Sequence, residues 1–288
     1  MNTKIKILIP IVLLSGLMVT SCKQKATSGP EVTNDIRFDS ILVNEKYHLL
    51  GDTTNPYCSL ESTFIFPSDY KDKDILDKLT RHFISSFFGE DSASVTPQEA
   101  MDKNIRKYIA DYKELEVDFI SETKITGEKP SQESWFAYYE VSSNEILFNT
   151  CDLLSYTVSV EYYTGGAHGG HAYNNHVLYL GNGEELEEED IFVLNYHDDL
   201  AQIIVDAIAS DNNVTVPEEL ENMGYFNIKE IYPNNNFYVD ERGITYTFNE
   251  YEIAAYFVGR IDVFLSFDKI RHLMREDSPV APLVFIKK

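Results

Sequence analysis

Residues 153–180 hold the feature that most restricts the fold. "LLSYTVSVEYY" (153–163) alternates in polarity and is rich in Tyr and Val, and "HAYNNHVLYL" (171–180) reads as a second strand. Successive side chains of a strand point to opposite faces, so such runs fit half-buried strands. Between them lie Thr164, the pair Gly165-Gly166, Ala167, His168 and the pair Gly169-Gly170. Glycine takes positive φ without steric cost, which suits a sharp link with a ring or another backbone packed close. These four glycines are assigned as a structural loop.

The same stretch invites chemical readings. A phosphate cradle needs a helix N-terminus after the glycines, and a strand follows instead. Nucleophilic catalysis needs a Ser or Cys beside a base, and Thr164 is the nearby hydroxyl. A metal site would draw on His168, His171 and His176. His171 and His176 are an odd number of residues apart and so face opposite sides of one strand. That leaves His168 and His171, short of the three ligands common in catalytic zinc sites. His168 is therefore read as a hydrogen-bonded loop anchor near a ligand surface. No catalytic residue, metal or cofactor is assigned.

Helical and extended patterns are interleaved along the rest of the chain. Ile75, Leu79, Phe83 and Phe87 recur at helical spacing, with Gly89 as a stop. Thr96, Pro97 and Glu99 form a capping box that opens a helix over 96–115. Strands are expected within 38–67, and 134–149 reads as a hairpin turned at Ser142-Ser143-Asn144. Helices follow at 200–210 and 217–223. A hairpin covers 236–249, a strand 261–267, a helical turn 268–274, and "PLVFIK" is read as a last strand. Runs of strands with inserted helices argue α+β. The expectation is two small mixed units, 37–155 and 156–288, with antiparallel sheets and helices packed on one side.

The N-terminus reads as an export signal. Lys4 and Lys6 precede an apolar stretch, Ile7 to Val19, and Val19-Thr20-Ser21 precede Cys22. Residues 1–21 are assigned as a signal peptide and 22–36 as a lipidated N-terminus and polar tether. Acyl chains on Cys22, at ~0.8 kcal/mol per buried CH₂, hold such a chain at a membrane without a spanning helix. Export leaves Cys58 and Cys151 as a candidate disulfide pair, if their Cα separation allows it.

The net charge is −23, and loss of Lys4 and Lys6 with the signal makes it −25. This excludes nucleic acid, whose backbone demands Lys and Arg, and favours a basic partner met by long-range attraction. The run 184–190 carries six of the acids; it reads as a solvated edge, or as part of a surface for such a partner. Glu187, Glu188 and Glu189 are the candidate ligand residues there, beside His168. The run lacks the alternating Asp/Asn and glycine of a calcium loop.

Three stretches in order, "YYTGGAHGG", "VLYLGNGEELEEEDIF" and "FNEYEIAAYFVGRIDVFLSFDKI", carry a resemblance. They resemble a bacterial extracytoplasmic domain family of unknown function. That family occurs in the lysozyme-sensing anti-sigma factor RsiV and beside the catalytic domain of PdaC-type peptidoglycan deacetylases. The match runs over about 160–275. Ala255 stands where the family often has proline, and Leu265-Ser266 where it often has Ile-Pro. The paired aspartates and His-x-x-x-His of a deacetylase are missing, as are a sigma-binding segment and a membrane-spanning helix. The resemblance thus implies an exported, non-catalytic recognition module at the cell envelope, periplasmic or on the outer-membrane surface. Its expected partner is a lysozyme-like basic protein or peptidoglycan. The alternative is a hydrolase or binding module acting on envelope glycan.

Overall fold

The structure is a computed structural model that describes residues 33–285. The expected signal peptide and Cys22 lie outside the described residues, as does most of the tether.

The large sheet is built first along the chain. Strands β1 (Arg37–His48) and β2 (Tyr57–Asp69) form an antiparallel pair. Three helices follow, α1 (Lys73–Phe88), α2 (Pro97–Lys113) and α3 (Glu116–Thr126), before β3 (Tyr138–Thr150) returns parallel to β2. A parallel return requires such a crossover. Asp72 caps α1 through two backbone amides, and Thr96 with Glu99 forms the capping box of α2. Strands β4 (Leu153–Tyr163), β5 (Gly170–Tyr179) and β6 (Glu184–Glu185) then add in turn, all antiparallel, giving six strands in chain order.

The rest of the chain makes a second layer. Helices α4 (Glu188–Ile191) and α5 (His197–Asp211) lead into a three-stranded antiparallel sheet of β7 (Phe237–Val239), β8 (Gly243–Phe248) and β9 (Ile261–Ser266). Short helices α6 (Phe267–Ile270) and α7 (Ala281–Phe285) close the described chain.

The period of two in β4 and β5 explains how the layers meet. Leu154, Tyr156, Val158 and Leu178 pack with Leu79, Phe83, Ile84, Ala100 and Met101 of α1 and α2. Their odd-numbered neighbours Leu153 and Val177 belong to a different core, with α5 and the small sheet. Ser155 donates to the carbonyl of Val239 at 2.7 Å, stitching β4 to β7. Full burial of an aromatic such as Phe83 contributes about 1.5–3 kcal/mol to each such layer. A third cluster gathers Leu49, Cys58, Tyr112, Phe119 and Phe136 near the start of β2.

The α+β class is as expected, and four expectations need correction. The boundary at 155/156 falls inside β4, and the described residues form one compact unit, because β4 and β5 bury residues on both faces. Residues 138–150 are one strand rather than a hairpin. Residues 281–285 are helical, not extended. Cys58 and Cys151 are both free. Cys58 pairs with Tyr138 at the start of β3, whereas Cys151 follows its last residue. Thirteen residue steps at ~3.3 Å put the two about 40 Å apart, far beyond the Cα separation a disulfide spans.

Candidate functional site

The glycine loop joins β4 to β5 and ends against the segment that connects β8 to β9. Gly165 and Gly166 have φ of +84° and +102°, a region L side chains rarely adopt. At Gly165 a side chain would also meet the carbonyl oxygen of Trp135 at 2.9 Å. The Tyr163 hydroxyl donates to the carbonyl of Gly166 at 2.9 Å. This turn projects His168 outward.

His168 lies flat on Tyr256, with ring centroids 4.0 Å apart and planes within 21°. Tyr251 stacks on Tyr256 at 5.6 Å, and its hydroxyl sits 3.3 Å from His168 Nε2. The Tyr256 hydroxyl donates to the carbonyl of Gly169, which ties the two segments together. His168 and Tyr251 are exposed, and so is Phe257 next along the chain, at 77%. A row of stacked rings on the surface offers π-faces to a cation or to an apolar sugar face.

Carboxylates stand beside the rings. His171 Nδ1 is 2.9 Å from Glu250 Oε1, and its Nε2 is 3.8 Å from Glu161 Oε2. The His171 amide donates to the second oxygen of Glu250. Tyr139 donates to Glu161 at 3.1 Å and stacks on Tyr163. The nearby cation Arg260 is engaged by Asp262 at 2.9 Å and lies over the Tyr173 ring. The face is thus aromatic with an acidic margin.

The acidic run 184–190 is a different place with a different job. Glu188 is 2% exposed, so it cannot be an outward-facing ligand. Its carboxylate accepts from the Asn235 amide at 2.7 Å and the Tyr196 hydroxyl at 2.9 Å. Burial raises its pKa, and those hydrogen bonds offset the rise only in part. Glu187 caps α4 with Asp190, and the Glu189 carbonyl accepts from Arg275. Glu184 pairs with Lys78, and Glu185 with His176. Glu187 and Glu189 remain exposed, on an element apart from the His168 rings.

The histidines divide as the strand period demands. His171 turns toward Glu250, and His176 turns toward α1, where its ring meets that of His82 at 5.3 Å. Sequence reasoning missed His82 because it lies on a helix 94 residues before His176. It also missed Tyr251 and Tyr256, which come to His168 only through the fold. Their one sequence mark is a tyrosine-rich stretch before Gly259.

The structure is thus a layered α+β domain that carries a stacked His–Tyr–Tyr array on a strand-to-strand loop. The chain belongs to the DUF3298 family. A family described as "Protein of unknown function (DUF3298)" matches residues 189–268, which include Glu250, Tyr251 and Tyr256. A DUF3298 member from Bacteroides fragilis is 31% identical, with a TM-score of 0.82, covering 89% of this chain and 100% of the other. A DUF3298 protein from Pseudomonas aeruginosa shares the fold at 11% identity and a TM-score of 0.54, covering 88% and 98%. No curated protein matches the chain.

Proposed function

We propose that this protein is a lipid-anchored binding protein of the bacterial envelope that captures a basic macromolecule on the face around His168. The observation that carries the reading is the stacked His168–Tyr256–Tyr251 array flanked by Glu161 and Glu250. Aromatic π-faces beside carboxylates match arginine and lysine side chains, by cation–π contact and charge pairing. A net charge of −23 adds long-range attraction. The resemblance of the glycine loop and the 248–270 segment to the lysozyme-sensing module makes a lysozyme-like muramidase the first partner to test.

Anchoring rests on Val19-Thr20-Ser21-Cys22 after a basic and apolar leader. Labelled fatty acid should enter the wild-type chain and not the Cys22→Ser variant, which should leave the membrane fraction; incorporation into that variant refutes the anchor. Binding is tested by biosensor against several basic muramidases and against purified muropeptides. Binding to a muramidase that weakens in salt supports the proposal. Binding to muropeptides alone refutes it in favour of glycan recognition, for which stacked rings also serve.

A further inference from the structure

A second constellation lies on the opposite face of β5, away from the His168 rings. His82 of α1, His176 of β5 and Glu185 of β6 bring one ligand atom each within 4.8 Å of one another. His176 Nδ1 is 2.6 Å from Glu185 Oε1, and His82 Nε2 is 3.6 Å from Glu185 Oε2. Both His82 Nε2 and His176 Nε2 are buried without a hydrogen-bond partner. Buried polar atoms are rarely left so, and each such atom calls for an explanation.

We propose that His82, His176 and Glu185 form a binding site for a divalent transition metal of the zinc type. Two imidazoles and one carboxylate are a donor set zinc favours, whereas calcium and magnesium want more oxygens. In a tetrahedral site with bonds of ~2.0–2.1 Å, ligand atoms stand about 3.3–3.4 Å apart. The spacings here bracket that value, so small side-chain rotations complete the site. Three protein ligands leave a fourth position, and Glu185, with its side chain 38% exposed, opens it to water.

The surroundings hold the ligands for this role. The His176 ring stacks on Tyr156 at 4.9 Å, and the Tyr156 hydroxyl is fixed by Ser86 at 2.8 Å. Lys78, one turn before His82 on α1, is occupied by Glu184 and the Asn182 carbonyl. A metal there would clip helix α1 to the β5–β6 turn.

The test is zinc titration of the full mature chain after chelator treatment, read by calorimetry and by the visible absorption of a cobalt-substituted sample. One equivalent should bind and raise the unfolding temperature. His82→Ala and Glu185→Gln should each weaken zinc by about 100-fold and abolish the cobalt spectrum. His168→Ala and His171→Ala should leave both unchanged. If His176→Ala fails to fold, the partly exposed His82 and Glu185 still decide the matter. No stoichiometric uptake by folded wild type, or uptake unaffected in both His82→Ala and Glu185→Gln, overturns the site.

Discussion

Cys58 and Cys151 show how far a residue's surroundings set its chemistry. Cys58 is 1% exposed, and burial pushes its thiol pKa up to about 11. Cys151 sits exposed in the β3–β4 turn with φ of +56°. In a Cys22→Ser background, a thiol reagent at pH 7.5 should label Cys151 promptly and Cys58 only on unfolding, since the thiolate is the reactive form. Equal labelling, or an intact disulfide by mass spectrometry, would contradict the assignment. Glu188 makes a second case. Glu188→Ala leaves Tyr196 and the Asn235 amide unpaired and should cost about 1–3 kcal/mol, against within about 0.5 for Glu189→Ala. Its pKa is raised above the ordinary 4.5 in the fold. The native state therefore holds that proton more tightly than the unfolded chain does. Stability from this group is full below 4.5 and is lost as pH rises through the folded value. Glu188→Gln should remove that slope, as denaturant titrations across the window would show.

At the level of elements, the period of two was readable and the polar exceptions were not. β4 was legible because Tyr and Val alternate with Ser and Thr. β3 looked broken at Ser142-Ser143-Asn144, a polar triple that reads as a turn. In the sheet those residues are satisfied across strands: Ser142 with Ser62 and Ser143 with Ser159, both at 2.9 Å, while Asn144 bonds the backbone N–H and C=O of Ile65. Such partners come from 16 to 80 residues away, beyond any local pattern. The run 281–285 failed for another reason, since a short apolar stretch does not separate strand from buried helix. Gly166 has open space around it but φ of +102°. Gly166→Val should therefore cost about 1–3 kcal/mol through backbone strain alone, while Gly166→Asn should cost less. Thermal unfolding of the two variants distinguishes strain from lost contacts; equal, negligible effects would deny the strain.

Across the whole molecule, two layers share one large sheet, and each face of β5 presents its own chemistry. The even-numbered side carries His176 toward α1, and the odd-numbered side carries His171 toward Glu250. That arrangement explains why the expected split at 155/156 fails: a strand buried on both faces cannot be a domain edge. It also explains why half of the site was legible. The loop histidine announced itself among glycines, but Tyr251 and Tyr256 join it only when the small sheet packs beside β5 through β7 and β8. The net charge of −23 is a property of the same scale, felt by a partner before contact. It should raise the association rate at low salt and fade as the Debye length shrinks from ~10 Å at 0.1 M to ~3 Å at 1 M.

The most direct measurement combines that field with the proposed face. A biosensor titration of a basic muramidase should be run against wild type, Tyr251→Ala, Glu250→Gln and Glu189→Lys at low and high salt. Tyr251→Ala and Glu250→Gln should each lose at least about tenfold in affinity, mainly through faster dissociation. Glu189→Lys, exposed on α4, should change chiefly the association rate at low salt. Muramidase binding with full affinity for Tyr251→Ala and Glu250→Gln, and with affinity lost in Glu189→Lys at both salt concentrations, would rule out the His168 face and move recognition to the acidic run.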